Sequence, residues 1–368
     1  MKKFWMLKPI LLSILFLTIS CDSKIEKEEN LQSTISLLLK QFEIDKALSI
    51  NQCTIMKTDG KWSLVGKTNE KIVYNSLKLY ADSLSYFFSI KILPDTTLGD
   101  SIFGIVNVSV TPIREEPRHS SQMVDQAILG NYVKLFEKKE DWFLCQTEYN
   151  YVGWINKTAI QKCDKKELIR WREEASHKVI SLNSTLYSKP SKRSLPISDV
   201  VLNNLIKKTG DLGQWGEFIL PDGRKGFLHS KDYRTIKFDD RSSQTIISNI
   251  AETASRLIGT PYLWGGNSTK GSDCSGFTQL IFKSEGVHLP RDARQQALLG
   301  ILIERDQLSV GDLLFFGDGI KVTHVGMSLG GFDFIHQGGK VEIHSINKNS
   351  TIFNKYRAES FMFAKRII

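Results

Sequence analysis

Thr260–Arg291 reads TPYLWGGNSTKGSDCSGFTQLIFKSEGVHLPR, and the rest of the chain is organised around it. Gly265 to Asp273 is rich in turn formers and runs straight into Cys274. From Cys274 onward Phe277, Leu280 and Ile281 recur at helical spacing, and Gly286 supplies a stop. Cys274 therefore falls in the first turn of a buried helix, where unpaired N–H groups and the helix dipole favour a thiolate. A lone cysteine is otherwise a small buried hydrophobe, so chemistry at Cys274 requires partners elsewhere in the chain.

Such partners lie downstream. Gly311–Phe316, Val322–Leu329, Phe332–His336, Val341–Ile346 and Phe361–Arg366 have strand character. A helix carrying the cysteine, followed by antiparallel strands, is an α+β pattern. A nucleophilic thiol needs a base, and the base needs a third group to orient it. His324 lies in VTHVGMSL and His336 in FDFIHQGG. If Leu329-Gly330-Gly331 is a three-residue hairpin loop, Ser328 pairs with Phe332 and His324 falls opposite His336 on one face. A two-residue loop would put the two rings on opposite faces. His119, His177, His229, His288 and His344 read as structural. A Cys/His/His metal site is the alternative use of these residues, but its spacing resembles no common zinc pattern, and neither a metal nor another cofactor is expected.

Working outward, the 368 residues carry a net charge of +9, with 41% hydrophobic and 24% charged content. That is the composition of a globular chain with room for two to four domains. Lys2, Lys3 and Lys8 precede the short apolar run Ile10–Ile19, so 1–20 reads as a secretory signal. Its end, Thr18-Ile19-Ser20-Cys21, resembles a bacterial lipobox, which implies cleavage before Cys21, lipidation of that residue and a membrane anchor in the cell envelope. An ordinary cleavable signal is the alternative. Loss of the three leader lysines leaves +6, a mild basicity suited to acidic substrates. No dense basic patch with interleaved aromatics points to nucleic acid. The five cysteines include no CxxC pair, and no disulfide is assigned among Cys53, Cys145 and Cys163.

Charged, non-periodic 21–30 reads as a tether. Residues 31–102 hold a helix through Ile35, Leu38, Leu39 and Phe42 and an ordered but unassigned remainder. From Phe103 the texture changes to short strands and turns, with Val106, Val108 and Val110 alternating. Trp142 is followed twelve residues on by Trp154 in YVGWI, and Trp215 twelve residues on by Phe227 in RKGFL. Two copies at one spacing argue for tandem β-barrels, at 103–163 and 177–238, joined by a helix at 164–176. The C-terminal domain then spans 239–368.

Pro261-Tyr262-Leu263-Trp264-Gly265-Gly266, Ser272-Asp273-Cys274-Ser275-Gly276-Phe277, Leu289-Pro290-Arg291, Gln296, Gly311-Asp312-Leu313-Leu314-Phe315-Phe316 and Thr323-His324-Val325-Gly326 together resemble the NlpC-type papain-like cysteine peptidases. Both barrels resemble bacterial SH3-like domains. The implied fold is α+β, two small SH3-like β-barrels followed by a papain-like catalytic domain. The implied catalytic residues are Cys274, His324 and His336, acting on amide bonds of peptidoglycan stem peptides. With the leader and both barrels, the chain resembles the γ-D-glutamyl-L-diamino acid endopeptidases, which cleave after L-Ala-γ-D-Glu when the L-Ala amine is free. That likeness implies a cleft tyrosine at Tyr151 and an anionic amine partner at Asp273. It also implies a carboxylate contact at Ser275, an S2 wall at Trp264 and a hydroxyl near the thiol at Tyr262. Gln122 stands where relatives often carry Glu, and Ala293 where some carry Ser. The expected partners are stem peptides or muropeptide fragments, met by a monomer. A wall-binding lipoprotein with a spent peptidase domain, a cross-link endopeptidase and an acyltransferase are the alternatives.

Overall fold

The computed structural model describes residues 24–42, 45–236 and 241–368. The leader and Cys21 lie outside the described residues. Among those residues, no helix is long and apolar enough to cross a membrane. The described residues divide into two compact units, one of 24–42 and 51–91, the other of 45–50, 92–236 and 241–368.

In the first unit a helix, Lys24–Lys40, begins inside the stretch read as a tether. Glu and Lys are good helix formers, so a charged run without apolar periodicity still extends the helix whose apolar positions start at Leu31. The unassigned remainder is a three-stranded antiparallel sheet, Asn51–Thr58, Lys61–Thr68 and Phe87–Ile92, with the helix Lys71–Ser83. Val73, Leu77 and Ala81 repeat every four residues and pack with Ile35, Ile55, Leu64 and Ile90. The Asp59-Gly60 pair at the first hairpin was the available turn signal.

The second unit contains two seven-stranded antiparallel sheets. In the first, the order is Ile160–Cys163, Phe103–Val106, Tyr132–Lys139, Trp142–Thr147, Val152–Asn156, Val110–Arg114, Met123–Ile128. It closes over Val106, Ile113, Val133, Leu135, Phe143, Cys145 and Ile155. Val106, Val108 and Val110 do not form one strand. The chain leaves one strand at Val106 and starts another at Val110. Between them Ser109 is tied to the second barrel, its Oγ donating to Asp199 at 2.7 Å and its carbonyl accepting from Asn204 at 3.0 Å. The second sheet encloses Val179, Leu186, Val200, Ile206, Phe218 and Leu228. The internal repeat is visible as pairing register: Trp142 faces Asn156 and Leu144 faces Trp154, while Trp215 faces His229 and Glu217 faces Phe227. Both hairpins therefore close at one spacing. The helix between the barrels is Lys165–Glu174, started by a capping box of Asp164 and Glu167.

The C-terminal part packs the helices Ser243–Arg256 and Cys274–Ser284 against a six-stranded antiparallel sheet. Its order is Ile301–Ile303, Phe361–Arg366, Leu313–Gly317, Val322–Gly330, Asp333–Gln337, Val341–Ser345. Phe277, Leu280 and Ile281 join Phe315, Val325, Met327 and Ile335 in one core. By strand alternation, Phe316, His324, Phe334 and His336 belong to the opposite face of the sheet.

Candidate active site

Cys274 opens its helix as expected, and Asp273 is the N-cap, its Oδ1 accepting the N–H of Gly276 at 2.8 Å. Gly276 is glycine for a spatial reason: a Cβ there would lie 1.9 Å from the carbonyl oxygen of Gly266. The turn and the helix are thus in backbone contact, which pins the thiol at the end of the turn. Gln296 ties the far side of the helix down, accepting from Thr278 Oγ1 at 2.7 Å and donating to the carbonyls of Ser275 and Pro290.

The thiol is 9% exposed and meets the sheet near the start of the Val322–Gly330 strand. Burial, with the Asp273 charge beside it, pushes the Cys274 thiol up to about 11. Backbone hydrogen bonds from Val325 and Ser275 and the charge of Arg291 pull the other way without winning. Burial also holds His324 well below the usual imidazole range and His336 down at about 3, each with Arg357 adding to the shift. These directions favour a protonated thiol at Cys274 and neutral rings at His324 and His336, against the thiolate expected from the helix N-terminus alone. The desolvation of a nearly closed site outweighs the first-turn amides. Alkylation of Cys274 by iodoacetamide, followed at peptide level, should rise about tenfold per pH unit between about pH 6 and 9. A plateau below about pH 8 would contradict this and point to a preformed ion pair.

The histidine hairpin differs from the expected register. Gly330 pairs with Asp333, a two-residue connection, but a bulge lies between Ser328 and Gly330. Its extra residue, Leu329, is accompanied by the N–H of Gly330 donating to Ser328 Oγ at 3.0 Å. The bulge reverses the parity that a two-residue loop alone would give. His336 faces Gly326, not His324, and the two histidines share a face as diagonal neighbours. Their rings stand nearly perpendicular, with His324 Nε2 2.8 Å from His336 Nδ1. Phe316 lies against His324 and Phe334 against His336, which accounts for the desolvation. His344, read as structural, lies in the same row, its Nδ1 2.9 Å from His336 Nε2.

Beneath the Gly265-Gly266 turn lies a charge cluster that sequence reading did not assemble. Arg291 is 2% exposed. Its Nε donates to Asp125 Oδ1 at 2.8 Å, Nη1 to Asp273 Oδ1 at 3.0 Å and Nη2 to Asp273 Oδ2 at 2.5 Å. Asp125 also accepts from the Tyr149 hydroxyl at 2.5 Å and from Asn267 Nδ2 at 3.0 Å. Burial pushes Asp125 up to about 6 against the pull of Arg291 and Tyr149, and the guanidinium in contact with it favours its ionised form. Two carboxylates on one guanidinium leave the cluster with a net negative charge. The only sequence signals were an arginine following Leu289-Pro290 and an aspartate inside an otherwise half-apolar barrel strand.

The cluster also docks the first barrel on the turn. Strand Met123–Ile128 supplies Asp125, while Gln126 Oε1 accepts the N–H of Asn267 at 3.0 Å. A Cβ on Gly265 would lie 2.5 Å from the carbonyl of Met123, so the two backbones touch there as well. Gln122 is exposed at the head of this strand, next to Met123. Tyr151 is drawn towards the C-terminal part, its hydroxyl hydrogen-bonded to Asp292 and its titration raised chiefly by burial. Trp264 is 60% exposed beside the turn, and Tyr262 stands next to it. Tyr262 is fixed by its N–H donating to the carbonyl of Gly339 at 2.8 Å, and its titration is coupled to that of Cys274. Burial raises the Tyr262 hydroxyl, which keeps it protonated and able to donate.

Asp273 and Ser275 are less available than their motif suggested. Five donors already converge on the Asp273 carboxylate: the N–H groups of Gly265 and Gly276, Ser275 Oγ and two Arg291 nitrogens. A carboxylate offers about four lone-pair sites. The Ser275 hydroxyl donates to Asp273 at 3.2 Å and accepts from Arg291 at 3.1 Å, so its one proton is engaged. Both side chains hold the turn in this arrangement, and what Asp273 offers a ligand is charge.

The described cysteines, Cys53, Cys145, Cys163 and Cys274, are free thiols. One group among the described residues brings possible metal ligands together, His336, Glu342 and His344, with ligand atoms within 4.8 Å of one another. Two of its three ligand atoms are directed at each other in a hydrogen bond, not at a common centre.

A model of the NlpC/P60 family matches residues 259–359. A model of the bacterial dipeptidyl-peptidase Sh3 domain matches residues 113–160. The probable endopeptidase NlpC of Escherichia coli is 35% identical over 128 residues, 34% of this chain and 80% of that protein. The gamma-D-glutamyl-L-lysine dipeptidyl-peptidase of Bacillus cereus is 29% identical over 230 residues, 59% of this chain and 68% of that protein. A crystal structure of an NlpC/P60 family protein from Bacillus cereus shares the fold at a TM-score of 0.61 and 24% identity, covering 72% of this chain and 99% of that one. The chain belongs to the NlpC/P60 family of cysteine peptidases. Its arrangement, barrels ahead of an α+β peptidase domain, is the one expected from the motifs.

Proposed function

We propose that this protein is a cell-envelope peptidase that hydrolyses the amide between γ-D-Glu and the diamino acid of peptidoglycan stem peptides whose L-Ala amine is free. Cys274 is the nucleophile, His324 its base and His336 the group that orients the base. The observation that carries the reading is the docking of the first barrel, through Asp125 and Gln126, on the turn that ends at Cys274. A barrel fixed there closes one end of the cleft, and the net negative cluster under the turn provides charge for an ammonium group. The name of the Bacillus cereus relative, a gamma-D-glutamyl-L-lysine dipeptidyl-peptidase, supports the same bond.

In this mechanism His324 takes the thiol proton as sulfur attacks the γ-carbonyl. The backbone N–H of Cys274 and the protonated hydroxyl of Tyr262 stabilise the oxyanion. The diamino acid leaves with the proton from His324, and water then releases L-Ala-γ-D-Glu from the thioester. Trp264 and Tyr151 form walls of the site, and Asp273 and Ser275 hold its floor. Attachment to a membrane through lipidated Cys21 rests on the lipobox-like leader.

The test compares purified free-amine tripeptide, its N-acetylated form and whole sacculi. Only the first should be cleaved efficiently. Release of cross-linked peptides from sacculi, with the tripeptide untouched, would defeat the reading. Gln122 refines it. An added carboxylate at the head of the docked strand should strengthen the grip on the amine, so Gln122→Glu should lower KM for the free-amine peptide about fivefold, near 1 kcal/mol for one charge-assisted contact in a partly solvated cleft. The N-acetylated peptide should be unaffected. An unchanged ratio of kcat/KM for the two peptides would mean that Gln122 does not face the amine.

A further inference from the structure

Asn354 precedes the helix Lys355–Ser360, and its Oδ1 accepts the N–H of Arg357 at 3.0 Å. This cap fixes which end of the amide is which. Nδ2 is the atom that lies 3.4 Å from His344 Nδ1. An amide NH₂ only donates, so His344 Nδ1 is an acceptor and carries no proton. His336 Nε2 lies 2.9 Å from the same atom and must therefore supply the hydrogen. A neutral imidazole with its proton on Nε2 has a bare Nδ1. His336 Nδ1 lies 2.8 Å from His324 Nε2, which in turn must be the protonated nitrogen. His324 keeps its lone pair on Nδ1.

We propose that His344, oriented by Asn354, is a positioning residue that sets the direction of the protons along the row His344, His336, His324 and so leaves His324 Nδ1 free as the base for Cys274. The inference rests on the catalytic reading above. It extends the catalytic pair by one strand: His336 lies on Asp333–Gln337 and His344 on Val341–Ser345. The row runs from a ring 6% exposed at His324 to a half-buried one at His344. Burial depresses both His324 and His336, which favours their neutral forms. The charged groups facing the row are few. Glu342 pairs across the strands with His336 and lies 3.9 Å from Lys340, and Arg357 approaches from the helix. Phe316 lies against His324, and Phe334 against His336 and His344. When His324 takes the thiol proton on Nδ1, its Nε2–H already points at an acceptor, so the imidazolium forms without any ring having to turn.

The test uses the full chain labelled with ¹⁵N-histidine, and long-range ¹H–¹⁵N spectra at about pH 7, with single histidine variants to assign the rings. His324 and His336 should both show the Nε2–H tautomer, and His336 should lose that preference in His344→Ala and in Asn354→Ala. A Nδ1–H tautomer on His336 in the unsubstituted protein would overturn the proposal. In kinetics on the free-amine tripeptide, His344→Ala should lower kcat about 10- to 100-fold with little change in KM, the loss typical of removing a group that orients a functional imidazole. His344→Asn, whose amide oxygen can take the place of Nδ1, should recover most of the rate. If His344→Asn is as slow as His344→Ala while both keep the parent's thermal midpoint, His344 has only a packing role. Absence of cleavage in the unsubstituted protein would count against the catalytic reading alone, because the spectra judge the proton direction without substrate.

Discussion

Cys274→Ala should abolish hydrolysis of the free-amine tripeptide, lowering kcat by at least about 10⁴-fold, the scale on which removal of a catalytic nucleophile acts. The loss should come with little change in fold. The thiol is exchanged for a methyl group at a position 9% exposed, and the helix keeps its Asp273 cap and its contact with Gly266. A stability change of about 1 kcal/mol or less is expected. Tripeptide binding by calorimetry should survive, since the negative cluster and the docked barrel remain. Turnover above background in the purified variant would remove Cys274 from the nucleophile's role. Lost binding together with lost turnover would mean that the thiol also supports the cleft.

Arg291→Met should be the most destabilising single change in the C-terminal part. Arg291 is buried between Asp125 and Asp273, with further hydrogen bonds to Ser275 and to the carbonyl of Gly266. Methionine has similar length and no charge, so it leaves two enclosed carboxylates without a counter-ion. Breaking a buried ion pair from one side costs about 3–5 kcal/mol. A large fall in the urea midpoint is expected, together with loosening of the first barrel from the turn. Adding Asp125→Asn should recover part of the loss, because one unpaired charge disappears and an amide can still bond Tyr149 and Asn267. A single variant within about 1 kcal/mol of the parent would show that water reaches the cluster and solvates the carboxylates. If the double variant is as unstable as the sum of the two single ones, the coupling between Asp125 and Arg291 is absent.

Short-range rules were enough to read the helix at Cys274. Its apolar positions, its first residue and its cap lie within a few residues of one another, and helix formation depends on that spacing. The barrel repeat was legible for the same reason, since one hairpin register, Trp142 with Asn156 and Trp215 with His229, writes the same interval into the chain twice. Family motifs added His324 and His336 as the expected base and its partner. The histidine hairpin marks the limit of local reading. Loop length alone put His324 and His336 on one face or on opposite ones, and a bulge at Leu329 settled which, through a contact of Ser328 with Gly330 that glycine spacing does not announce.

What remained belongs to tertiary structure. Asp125 and Arg291 are 166 residues apart in the chain, and nothing near either residue signals the other. Their pairing exists because a barrel strand docks on the turn before Cys274, and burial then holds Asp125 against the guanidinium that Asp273 also shares. His344 looked like an isolated strand histidine until strand pairing put it beside His336 and the Asn354 cap gave the contact a direction. The ionisation of Cys274 followed the same division. The chain determines that the thiol sits at a helix start, where a thiolate is favoured locally. Enclosure by the turn, the sheet and Asp273 decides that the proton stays on, because desolvation is a property of everything packed around the sulfur and not of its neighbours in sequence.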